Sequence, residues 1–209
     1  MNRRVVIATG NRGKLAELLR LLDPLGLEPV AQSEYGLDGV AEDAPTFIEN
    51  ALAKARAASR VSGLPAIADD SGLEVDTLNG APGVHSARYA GEHGDDAANN
   101  RKLLAELKTR PGMSRTANFR CIAVYLRHPD DPAPLIGEGV WRGEIAAAPC
   151  GTGGFGYDPL FLLPDRGLTA AELGPELKNK LSHRGQALND LVRQLEERNR
   201  SPGTGSRHS

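Results

Sequence analysis

The stretch Val5-Val6-Ile7-Ala8-Thr9-Gly10-Asn11-Arg12-Gly13-Lys14 reads as a strand that runs through a glycine-bearing loop into a helix. Residues 5–9 are apolar, β-branched and short, and Gly10 ends the run, which is the pattern of a buried strand. Beyond Lys14, the residues Leu15, Leu18, Leu19 and Leu22 fall along one helical face until Asp23-Pro24 stops it, so a first helix is predicted over 14–22. An α/β layout starts in this way.

Outward from that unit, Thr46 and Glu49 form a capping-box pattern ahead of an Ala-rich run, which predicts a helix over 46–59, ended by Gly63-Leu64-Pro65. Residues 66–68 read as a short strand delivering Asp69-Asp70-Ser71-Gly72 at its carboxyl end, with Leu73-Glu74-Val75-Asp76 alternating after it. A third helix is predicted over 95–108. Residues 116–127 and 135–146 read as long strands joined by His128-Pro129-Asp130-Asp131-Pro132, an antiparallel hairpin. A strand over 157–163, a short helix over 169–173 and a terminal helix over 186–198 complete the reading. Parallel βα units together with a hairpin predict an α/β fold on a mixed β-sheet flanked by helices, not a purely doubly wound one.

The chain has 209 residues, with 25 Lys and Arg against 27 Asp and Glu, and a net charge of -2. Such a length buries roughly 70% of its unfolded surface, so residues 1–200 are expected to form a single domain without a disulfide or metal to hold it. The tail 201–209 has no apolar anchor and reads as disordered. A pI near 6.2 lacks the overall basicity of proteins that coat nucleic acid. The apolar run at 5–8 is too short for a signal segment or a membrane span, and the expectation is a cytoplasmic protein with no membrane partner. Cys121 and Cys150 lack metal-site spacing and read as half-buried thiols in a reducing compartment.

Four segments carry chemistry. In Thr9-Gly10-Asn11-Arg12-Gly13-Lys14, backbone N–H groups at a helix start and a lysine ammonium suit a phosphate, although a tight turn with a solvated lysine fits equally. Leu15 follows Lys14 where a P-loop needs Ser or Thr, which argues against a P-loop kinase or NTPase. In Asp69-Asp70-Ser71-Gly72 the adjacent carboxylates point to opposite faces of a strand, so one faces a cleft, and Glu42 or Asp43 in the acidic loop upstream could add an oxygen ligand for magnesium. Glu49 is explained by its cap. Gly151-Thr152-Gly153-Gly154-Phe155-Gly156-Tyr157-Asp158-Pro159 formally contains GxGxxG but opens no helix, which rejects a dinucleotide fold. Phe155 and Tyr157 offer aromatic faces for a base, and Asp158 an acceptor for base or sugar donors. Finally, Ser182 is a plausible N-cap that places His183 and Arg184 in a helical first turn, where cations are disfavoured unless an anion binds. Lys178 lies just ahead.

The order of these segments resembles the inosine triphosphate pyrophosphatase family of house-cleaning enzymes, also called dITP/XTP pyrophosphatases. The resemblance spans about residues 5–195. It rests on Ala8-Thr9-Gly10-Asn11 with Lys14, Thr46-Phe47-Ile48-Glu49-Asn50-Ala51, Ala68-Asp69-Asp70-Ser71-Gly72-Leu73, Gly80-Ala81-Pro82-Gly83 with Ser86-Ala87-Arg88, Gly153-Gly154-Phe155-Gly156-Tyr157-Asp158-Pro159 and Ser182-His183-Arg184-Gly185. It implies an elongated mixed α/β fold with a cleft between two lobes, and a homodimer. It also implies magnesium-dependent hydrolysis of ITP, dITP and XTP to the nucleoside monophosphate and pyrophosphate. On this resemblance Asp70 is the metal ligand and general base, Glu42 a second metal carboxylate, and Asp69 a group that either helps bind the metal or supports the residues that do. Lys14 neutralises charge in the reaction, and Thr9, Gly10, Asn11, Arg12, Gly13 and Ser71 bind the phosphates. Phe155 stacks on the base beside Gly156 and Tyr157, and Asp158, Lys178, His183 and Arg184 read the base edge and sugar. Hypoxanthine and xanthine carry an acceptor oxygen at C6 where adenine carries an amino donor, so a cationic donor, Lys178 or Arg184, would favour the former.

Overall fold

The computed structural model describes residues 4–22 and 26–200, apart from the side chains of Arg12, Glu17, Arg20, Leu21 and Asn199. The Asp23-Pro24 helix stop, the tail 201–209 and the predicted phosphate contact of the Arg12 side chain lie outside the described residues. Seven strands form one mixed sheet in the order β2-β1-β3-β4-β5-β6-β7. The strands are β1 (Arg4–Ala8), β2 (Glu28–Ala31), β3 (Ala66–Val75), β4 (Thr116–Leu126), β5 (Leu135–Ile145), β6 (Phe161–Leu163) and β7 (Leu168–Thr169). β1 pairs parallel with β2 and β3, and every pairing from β3 to β7 is antiparallel. The helices are α1 (Arg12–Leu22), α2 (Phe47–Ser62), α3 (Asp96–Lys108), α4 (Pro175–Leu181) and α5 (His183–Arg200).

Strand alternation sorts the core. Val5, Ile7 and Ile67 pack with Leu18, Leu22, Ala187, Leu188 and Leu191 of α1 and α5 on one face, whereas Val6, Ala8, Ala66 and Ala68 pack with Ala51, Ala55 and Ala58 of α2 on the other. A third cluster, including Leu103, Phe119, Trp141 and Phe161, fills the far half of the sheet. The cleft lies where these clusters meet.

Three expectations are corrected here. Residues 66–75 form one ten-residue strand, so Asp69-Asp70-Ser71-Gly72 sits inside the sheet, with Asp69 opposite Ala123 and Asp70 opposite Ile122. Gly72 is there for closeness and not for a turn, because a Cβ on it would run into Gly83 O and lie 2.6 Å from Ser86 Oγ. What ends at this point is β1, whose last residue Ala8 pairs with Ala68. The strand predicted over 157–163 is confined to Phe161–Leu163, because Tyr157 to Leu160 turn inward. Cys121 is fully buried and Cys150 exposed, so neither is half-buried.

α5 carries the last site segment and sits against β5 at backbone distance. A Cβ at Gly137 would strike Ala187 O and one at Gly139 would strike His183 O. Gly139→Ala therefore has to lift the start of α5 and cost about 1–3 kcal/mol, seen as a lower melting temperature together with a reduced kcat/KM. An unchanged melting temperature would show that α5 is free to shift.

Candidate active site

The amino-terminal side of the cleft is the turn from β1 into α1. Asn11 closes it, its Oδ1 accepting from Lys14 N at 3.0 Å, while Thr9 Oγ1 accepts from Asn11 N at 3.2 Å. Asn caps the helix in this way and leaves its first turn facing the opening.

Adjacent positions on β3 send Asp69 and Asp70 to opposite faces. Asp70 turns toward α2, where Asn50 Nδ2 donates to its Oδ2 at 3.2 Å and Lys54 Nζ to its Oδ1 at 3.1 Å. The same Lys54 Nζ reaches Glu42 Oε1 at 2.8 Å. Glu42 is fixed through its backbone, for Arg88 Nη2 donates to Glu42 O at 2.6 Å and Asn50 pairs with both backbone groups of Ala44. Burial pushes the Asp70 carboxyl above its ordinary value against the pull of Lys54 and Lys14. Burial acts on Glu42 in the same sense, but there Lys54 prevails and the pKa falls. Lys54 itself is pushed down by burial, yet its three carboxylate neighbours win and hold it protonated.

Asp69 faces the other layer. Its side chain is inaccessible to solvent, with Arg184 Nε at 3.1 Å and Lys14 Nζ at 3.6 Å. Burial would raise its pKa, but Lys14, Arg184 and Lys54 together hold it well below the usual carboxylate range. Asp69 is thus turned away from the pair Asp70 and Glu42 and pairs with Lys14 and Arg184. It also answers the question raised by two cations in a helical first turn. The anion facing Arg184 is Asp69 of the same chain, and His183 is uncharged: burial first, then Arg184 and Lys178, push its pKa well below the ordinary histidine value. Its ring stacks on Phe119, 4.7 Å between centroids.

The carboxy-terminal side is the glycine loop. Asp158 Oδ2 accepts from Phe155 N at 2.8 Å and from Lys178 Nζ at 2.7 Å. A Cβ on Gly154 would collide with that carboxylate. The Phe155 ring lies 5.0 Å from Lys178 Nζ and 5.7 Å from the Arg184 guanidinium carbon. Tyr157 differs from expectation. It is 4% exposed and belongs to the core, its hydroxyl donating to Ser86 O at 2.9 Å, so only an edge of it lines the cleft and Phe155 is the aromatic face presented.

Two adjoining hollows share Asn11, Lys14, Glu42, Asp96 and Phe155. The inner one is also lined by Asp70, Ser71, Gly156, Asp158, Lys178, His183 and Arg184, and the outer one by Thr9, Gly10, Gly13 and Lys54. Ser71 Oγ accepts from Arg184 Nη2 at 3.0 Å. Of the expected residues, Asp69 lies behind the lining. Lys54 was missed. The signal for it is Asn50 and Lys54, four apart, on the face of α2 that carries Ala51, Ala55 and Ala58. Among the described residues no group of three His, Cys, Asp or Glu converges. The pair Asp70 and Glu42 does converge, on one ammonium, and two hard carboxylates beside an open cleft fit magnesium, which keeps several waters.

The chain belongs to the Ham1 family, which matches residues 5–194. Among its relatives is the dITP/XTP pyrophosphatase of Escherichia coli O157:H7, 58% identical over 189 residues that cover 90% of this chain and 96% of that protein. The dITP/XTP pyrophosphatase of Xanthomonas campestris pv. campestris (strain 8004) is also 58% identical, covering 92% of this chain and 97% of that one. A solved HAM1 protein from Coxiella burnetii superposes with a TM-score of 0.86 at 48% identity, covering 93% of this chain and 98% of that one. No described helix is long and apolar enough to cross a membrane.

Proposed function

We propose that this chain hydrolyses non-standard purine nucleoside triphosphates, dITP, XTP and ITP, to the nucleoside monophosphate and pyrophosphate, as a cytoplasmic, magnesium-dependent homodimer that cleanses the nucleotide pool. The observation that carries the reading is Asp70, held with Glu42 by Lys54 on one wall of a cleft whose other wall is Phe155 between Lys178 and Arg184. An anion-binding turn and an aromatic face between two cations then flank one carboxylate.

Glu42 and Asp70 would hold magnesium, which neutralises charge on the triphosphate when bound. Thr9, Gly10, Asn11, Arg12, Gly13 and Ser71 hold phosphate oxygens, and Lys14 faces the charge that develops as water attacks the α-phosphorus. Asp70 accepts the proton of that water. Its burial favours the role, since a carboxylate pushed upward is the stronger base. Phe155 stacks on the base, while Asp158, Lys178, His183 and Arg184 read its edge and the sugar. Lys178 and Arg184 supply donors for the C6 oxygen. An adenine amino group there would meet a donor and lose the bond.

The test is an assay of the purified protein with ITP, XTP, dITP, ATP and GTP that resolves monophosphate plus pyrophosphate from diphosphate plus orthophosphate. Equal rates on ATP and ITP, or orthophosphate as first product, would overturn the reading. In the same assay Lys54→Met is expected to lower kcat/KM for dITP by about 10²-fold or more, the scale of removing one charge-stabilising group. Activity within threefold of the wild type would remove Lys54 from the site.

A further inference from the structure

Gly151, Gly154 and Gly156 all have positive φ, at 80°, 72° and 62°, and such backbone loses much freedom when it is ordered. Phe155 nevertheless has a defined seat against Lys178 and Arg184, close enough to α1 that a Cβ on Gly13 would lie 2.8 Å from its ring. Asp158 braces the loop from within. From outside, two side chains of α3 take both backbone groups of the residue that follows Phe155. Gly156 N donates to Asp96 Oδ2 at 2.7 Å, and Asn100 Nδ2 donates to Gly156 O at 2.9 Å.

Asp96 is not the cap of α3. Asp95 caps that helix, its side chain accepting from Ala98 N at 2.8 Å. Asp96 is exposed and lines both hollows, where a carboxylate beside an anionic substrate is unfavourable unless it is engaged. Asn100 makes its bond while its own Oδ1 is buried with no hydrogen-bond partner among the described residues, an arrangement that lowers stability. Four residues apart, the two side chains stand one above the other on the same helical face.

We propose that Asp96 and Asn100 are positioning residues of the base site, clamping the Gly156 peptide so that the Phe155 ring is already in place when a purine arrives. The clamp rests on the proposed function above, because it presumes that Phe155 receives a base. Asn100 lines neither hollow and reaches the site through Gly156, so its effect belongs to the base half of the substrate alone.

The experiment compares Asp96→Ala, Asp96→Asn and Asn100→Ala with the wild type, measuring KM and kcat for dITP, the inhibition constant of pyrophosphate and the melting temperature. Asp96→Ala and Asn100→Ala are each expected to raise KM about tenfold, the scale of one charge-assisted hydrogen bond or one loop-ordering bond. Their kcat should stay within about threefold, and in Asn100→Ala the pyrophosphate constant should be unchanged. Asp96→Asn keeps an acceptor for Gly156 N and should return KM to near the wild-type value. An unmoved KM in both alanine variants, a change in the pyrophosphate constant of Asn100→Ala equal to its change in KM, or an Asp96→Asn variant as impaired as Asp96→Ala would overturn the clamp. If the wild type itself fails to turn over dITP, the failure lies with the proposed function and not with the clamp.

Discussion

Asp70→Asn is expected to lower kcat for dITP by about 10²- to 10⁴-fold, the contribution of a general base, while the nucleotide still binds within a few-fold of its original affinity. The substitution keeps the size of the side chain and one acceptor for Lys54 Nζ, now 3.1 Å from Oδ1. The amide nitrogen would face Asn50 Nδ2, now 3.2 Å from Oδ2, so one hydrogen bond becomes a donor facing a donor. Phe155, Lys178 and Arg184 lie on the far wall and are untouched, which is why binding survives. Single-turnover kinetics alongside equilibrium binding separate the two effects. A kcat within tenfold of the wild type would show that another group takes the proton.

Asp69→Asn should act on the fold first. Arg184 is 2% exposed, and with Lys14 it would face a neutral amide in place of an inaccessible carboxylate. Removing one partner of a buried ion pair costs about 3–5 kcal/mol, or roughly a 10 °C drop in melting temperature for a chain of this size. The effect has a pH signature. The folded-state pKa of Asp69 is depressed, so its stabilisation is complete above the unfolded value of about 4 and is lost as pH falls below that toward the folded value. The difference between wild type and variant is therefore constant from pH 5 to 8 and shrinks in acid. A melting temperature within 2 °C of the wild type at pH 7 would sink the assignment.

Periodicity made most of the fold legible. The α3 span, the β4–β5 hairpin and the mixed sheet follow from apolar spacing and turn chemistry, and Ser182 does cap α5, its Oγ accepting from Gly185 N at 3.1 Å. β2 escaped because Pro29 interrupts it, which is tolerated in a strand at the sheet edge. α4 escaped because seven residues show too little period. In the site, local chemistry was legible and partnership was not. That Asp69 and Asp70 face opposite ways is legible from their adjacency, but which of them faces α2 and which faces α5 follows only from the packing of β3. Lys54 reads as one more solvent-facing residue of an Ala-rich helix until α2 packs on the sheet. Tyr157 and Phe155 read as equivalent aromatics until Ser86 O claims the tyrosine hydroxyl.

The parity of β3 has an evolutionary consequence. Ten consecutive pairs with β4, from Ala66 opposite Leu126 to Val75 opposite Ala117, lock which face each residue takes. A slip of one residue would carry Asp70 into the place of Asp69, facing Arg184, and Ser71 into the place of Asp70, so that Lys54 would lose the strand carboxylate it now pairs with. A single insertion or deletion between Ala66 and Asp70 is therefore expected to abolish the site unless a bulge absorbs it, whereas a substitution leaves the facing of every other residue intact.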